Sequence, residues 1–199
     1  GEVNRPGNYT LNSNDTIYDV VLRAGGYTKN AYQFAGILTS QKAKKLERNY
    51  IERTYNDLIK YIAINPSILG QNQSVISLLD QIKNLEPSGR VVTEFNLNKI
   101  NENSRNAVLL GDKDEIYIPA LNNVIYVYGD VNNPSALNFE DFKNPIDYIN
   151  KAGGYSRFAD KDYVYIISPN GEANILNKRA LSNLNIYNID LYPGSLIYV

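Results

Sequence analysis

One stretch of this chain occurs twice at a single fixed spacing. Gly1-Glu2-Val3-Asn4-Arg5-Pro6 returns 128 residues later as Gly129-Asp130-Val131-Asn132-Asn133-Pro134, and Ala24-Gly25-Gly26-Tyr27 returns at the same offset as Ala152-Gly153-Gly154-Tyr155. No gap is needed between them. Over residues 1–31 against 129–159, ten positions are identical, and Arg23/Lys151, Thr28/Ser156 and Lys29/Arg157 are conservative pairs. A repeat of this kind restricts the fold to architectures that accommodate two copies of one structural unit.

Each copy spells a short helix between its Gly-acidic-Val-Asn turn and its glycine pair. In the first, Thr16 reads as the N-cap, Asp19 as the acidic N3 residue, and Ile17, Val20, Val21 and Ala24 as the buried stripe. In the second, Asn144 caps, Pro145 takes N1 and Asp147 takes N3. Gly25 and Gly153 then fall at C′, where the chain turns left-handed and glycine alone does so without penalty; Gly26 and Gly154 follow them. Phosphate-cradling glycines precede a helix and face an anion with its positive end. These follow a helix, so they read as stop signals.

The flanks are β-rich. Val124 to Tyr128, Tyr163 to Ile167 and Leu196 to Val199 are short β-branched and aromatic runs, and Ser168-Pro169-Asn170-Gly171 is a turn signal. Glu115 to Ile118, after Gly111, answers Leu196 to Val199, after Gly194, as a closing strand. The first copy carries about 48 extra residues, at 41–88, whose period is helical. Leu46, Tyr50, Ile51, Leu58 and Ile62 mark one stripe, and Val75, Leu78, Leu79, Ile82 and Leu85 another. The expected organisation is α+β: a first unit over 1–120 with a two-helix insertion at about 41–88, returning to strand over Gly89 to Phe95, and a second unit over 121–199. The second unit opens with a strand ahead of Gly129 that has no counterpart ahead of Gly1. Either the fragment is cut within a repeat or another chain supplies that strand.

Composition narrows the chemistry. The formal net charge is −1 and basic runs are absent, which disfavours nucleic acid as a partner. No apolar run reaches the roughly 18 residues of a membrane span, so the chain reads as soluble. With no His and no Cys, the commonest general base, thiol nucleophile and metal ligands are missing. No catalytic residue, metal site or cofactor is expected. A carboxylate glycosidase would have to use Asp112/Asp114/Glu115, Glu140/Asp141 or Asp160/Asp162, all beside expected turns. Tyrosine is the conspicuous residue type, with 17 copies. Tyr126 with Tyr128, and Tyr163 with Tyr165, alternate along strands and so share a face. That face either stacks on sugar rings or a neighbouring subunit, or reflects β propensity and half-buried packing. These four, with Lys29 and Arg157, are the candidate binding residues. Lys42, Lys44, Lys45, Arg48, Arg53 and Lys60 make the first inserted helix basic, a solvated face or a docking surface, with Arg48–Glu52 and Arg53–Asp57 spaced to pair.

The residues Val127-Tyr128-Gly129-Asp130-Val131, Pro134, Ala152 to Tyr155 and Pro193 to Val199 together resemble the soluble-ligand-binding β-grasp (SLBB) modules of outer-membrane polysaccharide export proteins. The first copy carries the same pattern in Gly1-Glu2-Val3, Pro6-Gly7, Ala24 to Tyr27 and Gly111-Asp112 through Pro119. Ser135-Ala136 departs from the family's usual Pro-Gly, and the long insertion followed by "SGRVV" is similar to the KpsD-like branch. The resemblance implies two tandem ubiquitin-like β-grasp modules and a non-enzymatic role. It further implies a periplasmic, outer-membrane-associated place in a Gram-negative bacterium, a ring-like homo-oligomer of the full-length protein, and partners in capsular polysaccharide and the inner-membrane export machinery. Gly25, Gly26, Gly153, Gly154, Pro6 and Pro134 are then structural motif residues.

Overall fold

A computed structural model describes residues 1–67, 73–102, 107–141, 143–176 and 190–199. Among these residues the strands form two sheets, each beside one short helix. In the first half, α1 (Ile17–Arg23) precedes β1 (Ile37–Thr39), β2 (Arg90–Val91) and β3 (Glu115–Tyr117), with strand order β2-β1-β3. In the second, β4 (Val124–Tyr128), β5 (Ser135–Asn138), β6 (Val164–Ile167), β7 (Ala173–Leu176) and β8 (Leu196–Tyr198) make a five-stranded sheet of order β5-β4-β8-β6-β7, with α5 (Pro145–Lys151) beside it. Mixed helix and sheet thus give an α+β chain.

The two sheets share a register. β1 pairs antiparallel with β3 through Leu38 and Ile116, and β6 pairs antiparallel with β8 through Ile166 and Ile197. β2 and β7 flank β1 and β6 in the same antiparallel sense. The first sheet therefore corresponds to the last three strands of the second. Among the described residues, β4, parallel to β8 and antiparallel to β5, has no counterpart on the outer edge of β3.

Both short helices form as their caps dictate. Thr16 and Asp19, and Asn144 and Asp147, close reciprocal capping boxes, with Pro145 in the first turn of α5. Ile17, Val21 and Ala24 are buried beneath the first sheet, whereas Val20 stays half-buried. Leu38, Phe95, Ile100 and Ile118 complete that core; Ile125, Val127, Tyr148, Ile149, Val164, Ile166, Leu176 and Ile197 make the second. Strands of the second sheet alternate buried and exposed residues, as expected for a sheet covered on one face only.

Among the described residues between β1 and β2, the helices α2 (Gln41–Ile64) and α3 (Gln73–Lys83) pack on one another. Their seam differs from the expected stripes. Ile51, Tyr55, Leu58 and Ile62 face inward with Val75, Leu79 and Ile82, while Leu46, Tyr50, Leu78 and Leu85 are exposed. Asp57 pairs with Lys60 at 3.5 Å instead of with Arg53. The expected strand over Gly89 to Phe95 shortens to Arg90–Val91, because Phe95 leaves the sheet to bury its ring against Gly36, ahead of α4 (Leu97–Glu102).

The halves touch. The rings of Phe34 and Tyr192 lie with centroids 4.3 Å apart, and Arg90 of β2 donates to the Pro169 carbonyl at 2.8 Å, in the turn joining β6 to β7.

Candidate functional site

The repeated motif builds one hydrogen-bonded frame twice. Gly25 and Gly26 have φ of +81° and +78°, and Gly153 and Gly154 have +82° and +80°. Gly26 N–H donates to Val21 O and Gly25 N–H to Leu22 O, both at 2.9 Å. Gly154 and Gly153 donate likewise to Ile149 O (2.9 Å) and Asn150 O (3.1 Å), so each helix ends in a Schellman turn. The Asn of each Gly-acidic-Val-Asn turn then clamps the glycine pair. Asn4 Nδ2 donates to Gly25 O at 2.6 Å and Asn132 Nδ2 to Gly153 O at 2.7 Å. Asn4 N–H meets Gly26 O, and Asn132 N–H meets Gly154 O, each at 3.0 Å. Val3 bridges Tyr27 as Val131 bridges Tyr155. The amides that a phosphate would need are spent on the helix, and the glycine carbonyls are taken by the Asn clamp. Pro6 and Pro134 follow the clamps as exposed turn residues.

The closing strands are approached by matching turns, with one change from the sequence alignment. Gly111 N–H donates to Asp114 Oδ2 (2.9 Å), as Tyr192 N–H donates to Ser195 Oγ (3.1 Å). Lys113, with φ of +61°, therefore takes the place of Gly194 at +88°; Gly111 answers Tyr192.

The tyrosines assemble across strands. Register sets Tyr128 of β4 opposite Tyr198 of β8, and Tyr198 opposite Tyr165 of β6. Their exposures of 43%, 49% and 42% put the row on the open face of the sheet. Tyr126 stacks on Tyr128 (centroids 6.4 Å, planes 13° apart), and its hydroxyl accepts from Asn122 Nδ2 at 3.1 Å. Tyr163 is exposed just before β6, and Ile167 and Ile175 widen the patch. Sequence alternation found four of these tyrosines but missed Tyr198, the centre of the row. Its place depends on β8 lying between β4 and β6, a long-range pairing. Lys29 and Arg157 occupy equivalent exposed positions in separate halves, Arg157 against the ring of Phe158 (5.9 Å), and no contact among the described residues joins either to the row.

Other tyrosines are structural. The Tyr27 hydroxyl donates to Phe95 O at 2.7 Å, and burial, aided by nearby Glu94, raises its pKa. Burial beside Tyr192 pushes Tyr32 up to about 12. The acidic residues serve turns and ion pairs: Asp114 accepts from Gln41 N–H (3.2 Å), Asp160 from Asp162 N–H (3.0 Å), and Glu140 is held low in pKa by hydrogen bonds from Lys151 and Lys143. Among the described residues, no group of three or more carboxylates is arranged to hold a metal. Nor is any helix long and apolar enough to cross a membrane.

Comparison with known proteins picks out the same two frames. The sequence model of the SLBB domain matches residues 1–42 and 124–174. A polysialic acid transport protein KpsD of Escherichia coli is 29% identical over 128 residues, covering 64% of this chain and 20% of the relative. A second protein of that description, also from Escherichia coli, is 27% identical over 128 residues with the same coverage. The chain thus spans about a fifth of the length of the curated relatives it matches. SLBB-domain sequence thus falls on both copies of the clamped helix, and the chain is similar over 128 residues to proteins described as polysialic acid transporters.

Proposed function

We propose that the chain comprises two tandem β-grasp modules, 1–120 and 121–199, of a non-enzymatic protein that passes capsular or exopolysaccharide across the outer membrane. The observation that carries this reading is the coincidence of the duplicated hydrogen-bonded frame with the two stretches of SLBB sequence. In this account α2 and α3 are an insertion in the turn of the first module, since Thr39 and Arg90 remain paired across them. The modules act as assembly units: the full-length protein forms a ring in the periplasm, associated with the outer membrane. It receives polymer from the inner-membrane export machinery. Turn-bound carboxylates and an absence of His and Cys support a role without chemistry. Deleting the gene should leave polymer synthesised but retained inside the cell, with display restored by the wild-type copy. Normal surface polymer in the deletion strain would refute the proposal.

The tyrosine row favours a second reading, in which the second module captures an oligosaccharide without taking part in a channel. Tyrosine offers a flat apolar body for a sugar face and a hydroxyl for its rim. On this reading, calorimetry with capsule fragments gives saturable heat that Tyr198→Ser abolishes. No heat at millimolar concentration would exclude it.

A further inference from the structure

Helix α2 carries two lines of residues at coiled-coil spacing, and its packing uses one. Ile51, Tyr55, Leu58 and Ile62, spaced four, three and four residues apart, face α3. On the opposite side the same spacing runs through Leu46, Tyr50, Arg53, Asp57, Lys60 and Ile64. All six are exposed, with Leu46 at 61%, Tyr50 at 71% and Ile64 at 78%. Asp57 pairs with Lys60 at 3.5 Å, and Arg53 has no ion-pair partner among the described residues.

This outer line is complementary to itself when reversed. Two copies of α2 laid antiparallel about a two-fold axis at the level of Tyr55 bring Leu46 against Ile64 of the second copy, Tyr50 against Lys60 and Arg53 against Asp57. The symmetry repeats each pairing once. Apolar layers close both ends, and at the centre the guanidinium of each copy meets the carboxylate of the other. The Tyr50 ring covers the Lys60 stem and lies under its ammonium. At the flanking positions Thr54 and Asn56 meet their own symmetry mates, so no like charges oppose one another there. The helix ends agree as well. α2 has no acidic residue in its first turn and no basic one in its last, a polarity that opposes its own dipole. Antiparallel pairing sets Lys42 and Lys45 beside the C-terminal carbonyls of the second copy's α2, where cations are favourable. Parallel pairing would instead stack Arg53 on Arg53, Asp57 on Asp57 and one basic end on the other.

We propose that the outer face of α2 is a self-docking surface, which takes the α2 of a second copy of this chain, antiparallel, across a two-fold axis. The inference rests on this helix and does not depend on the export role. A two-fold contact is isologous, so it differs in kind from the head-to-tail contacts that close a ring.

Sedimentation of the 199-residue chain should show monomer and dimer in exchange, half-associated at or below about 1 mM, as suits an interface under about 1,200 Å². Arg53→Asp and Asp57→Arg should each weaken self-association by about tenfold, since each sets like charges against one another in both central layers. Mixing the two variants should restore it, and so should the double variant Arg53→Asp/Asp57→Arg. Both positions are exposed, and this rescue separates lost pairing from lost folding. A chain that stays monomeric at 1 mM, about the weakest affinity an interface of this size predicts, would overturn the proposal, as would association that either single change leaves intact or that the charge swap fails to rescue. The absence of Cys allows a test of register. Leu46→Cys and Ile64→Cys chains, mixed and oxidised, should cross-link to each other and neither to itself, because like positions lie about 27 Å apart along the paired helices. A Leu46→Cys chain that links to itself in preference would show a parallel contact and overturn the assigned pairing.

Discussion

Gly25 and Gly153 hold the same left-handed turn, yet their surroundings differ. A Cβ at Gly25 would sit 3.3 Å from Asn4 Cβ and Arg5 Nε, while one at Gly153 would sit 2.8 Å from Asn133 Nδ2. Both Gly→Ala variants should lose about 1–2 kcal/mol from the left-handed backbone alone, with Gly153→Ala the worse of the two, in urea titrations. Gly36 is constrained by packing, not by φ. A methyl there would lie 2.3 Å from Phe95 Cγ, in a core where Phe95 is 2% exposed, so Gly36→Ala should cost about 1–3 kcal/mol. Asp19 gives a pH test. The Thr16 hydroxyl and N–H hydrogen-bond its carboxylate and lower its pKa below the ordinary 3.8. A depressed carboxylate stabilises the fold above its unfolded pKa, and that stabilisation fades as pH falls through the folded value. The melting temperature should therefore fall on acidification below about pH 4, and Asp19→Asn should flatten that part of the decline. Caps and stop glycines were legible in the sequence because both act within one helix length. The demand on Gly36 was not, because Phe95 arrives from 59 positions away.

The elements show where periodicity suffices and where it fails. The capped helices and the second sheet follow the pattern of their residues. Helices α2 and α3 form where helical spacing placed them, but the inward stripe includes Tyr55 and excludes Leu46 and Tyr50. A helix with apolar residues on several faces does not say which face its partner will take. Replacing residues 41–88 by a tight turn should leave a cooperatively folded protein, its melting temperature lowered by no more than about 4 °C, because Thr39 and Arg90 already stand opposite one another. Loss of the folded state would contradict the insertion reading. The Tyr128–Tyr198–Tyr165 row was half legible: alternation gave the faces, but only the sheet order placed Tyr198 between the others.

At the scale of the molecule, the offset of 128 residues already contains the main architectural fact, a frame built twice. Sequence did not show how the copies meet. Phe34, Tyr192, Arg90 and Pro169 come from regions that lie outside the repeated motif, so no internal comparison could single them out. We propose that both copies of the frame serve the passage of polysaccharide to the cell surface. That claim is tested most directly by an in-frame deletion of the codons for residues 1–199 from the full-length gene, measuring the ratio of surface-displayed to total polymer. The account predicts that total polymer is maintained while the ratio collapses. A ratio equal to wild type, with the shortened protein present at normal abundance, would contradict it.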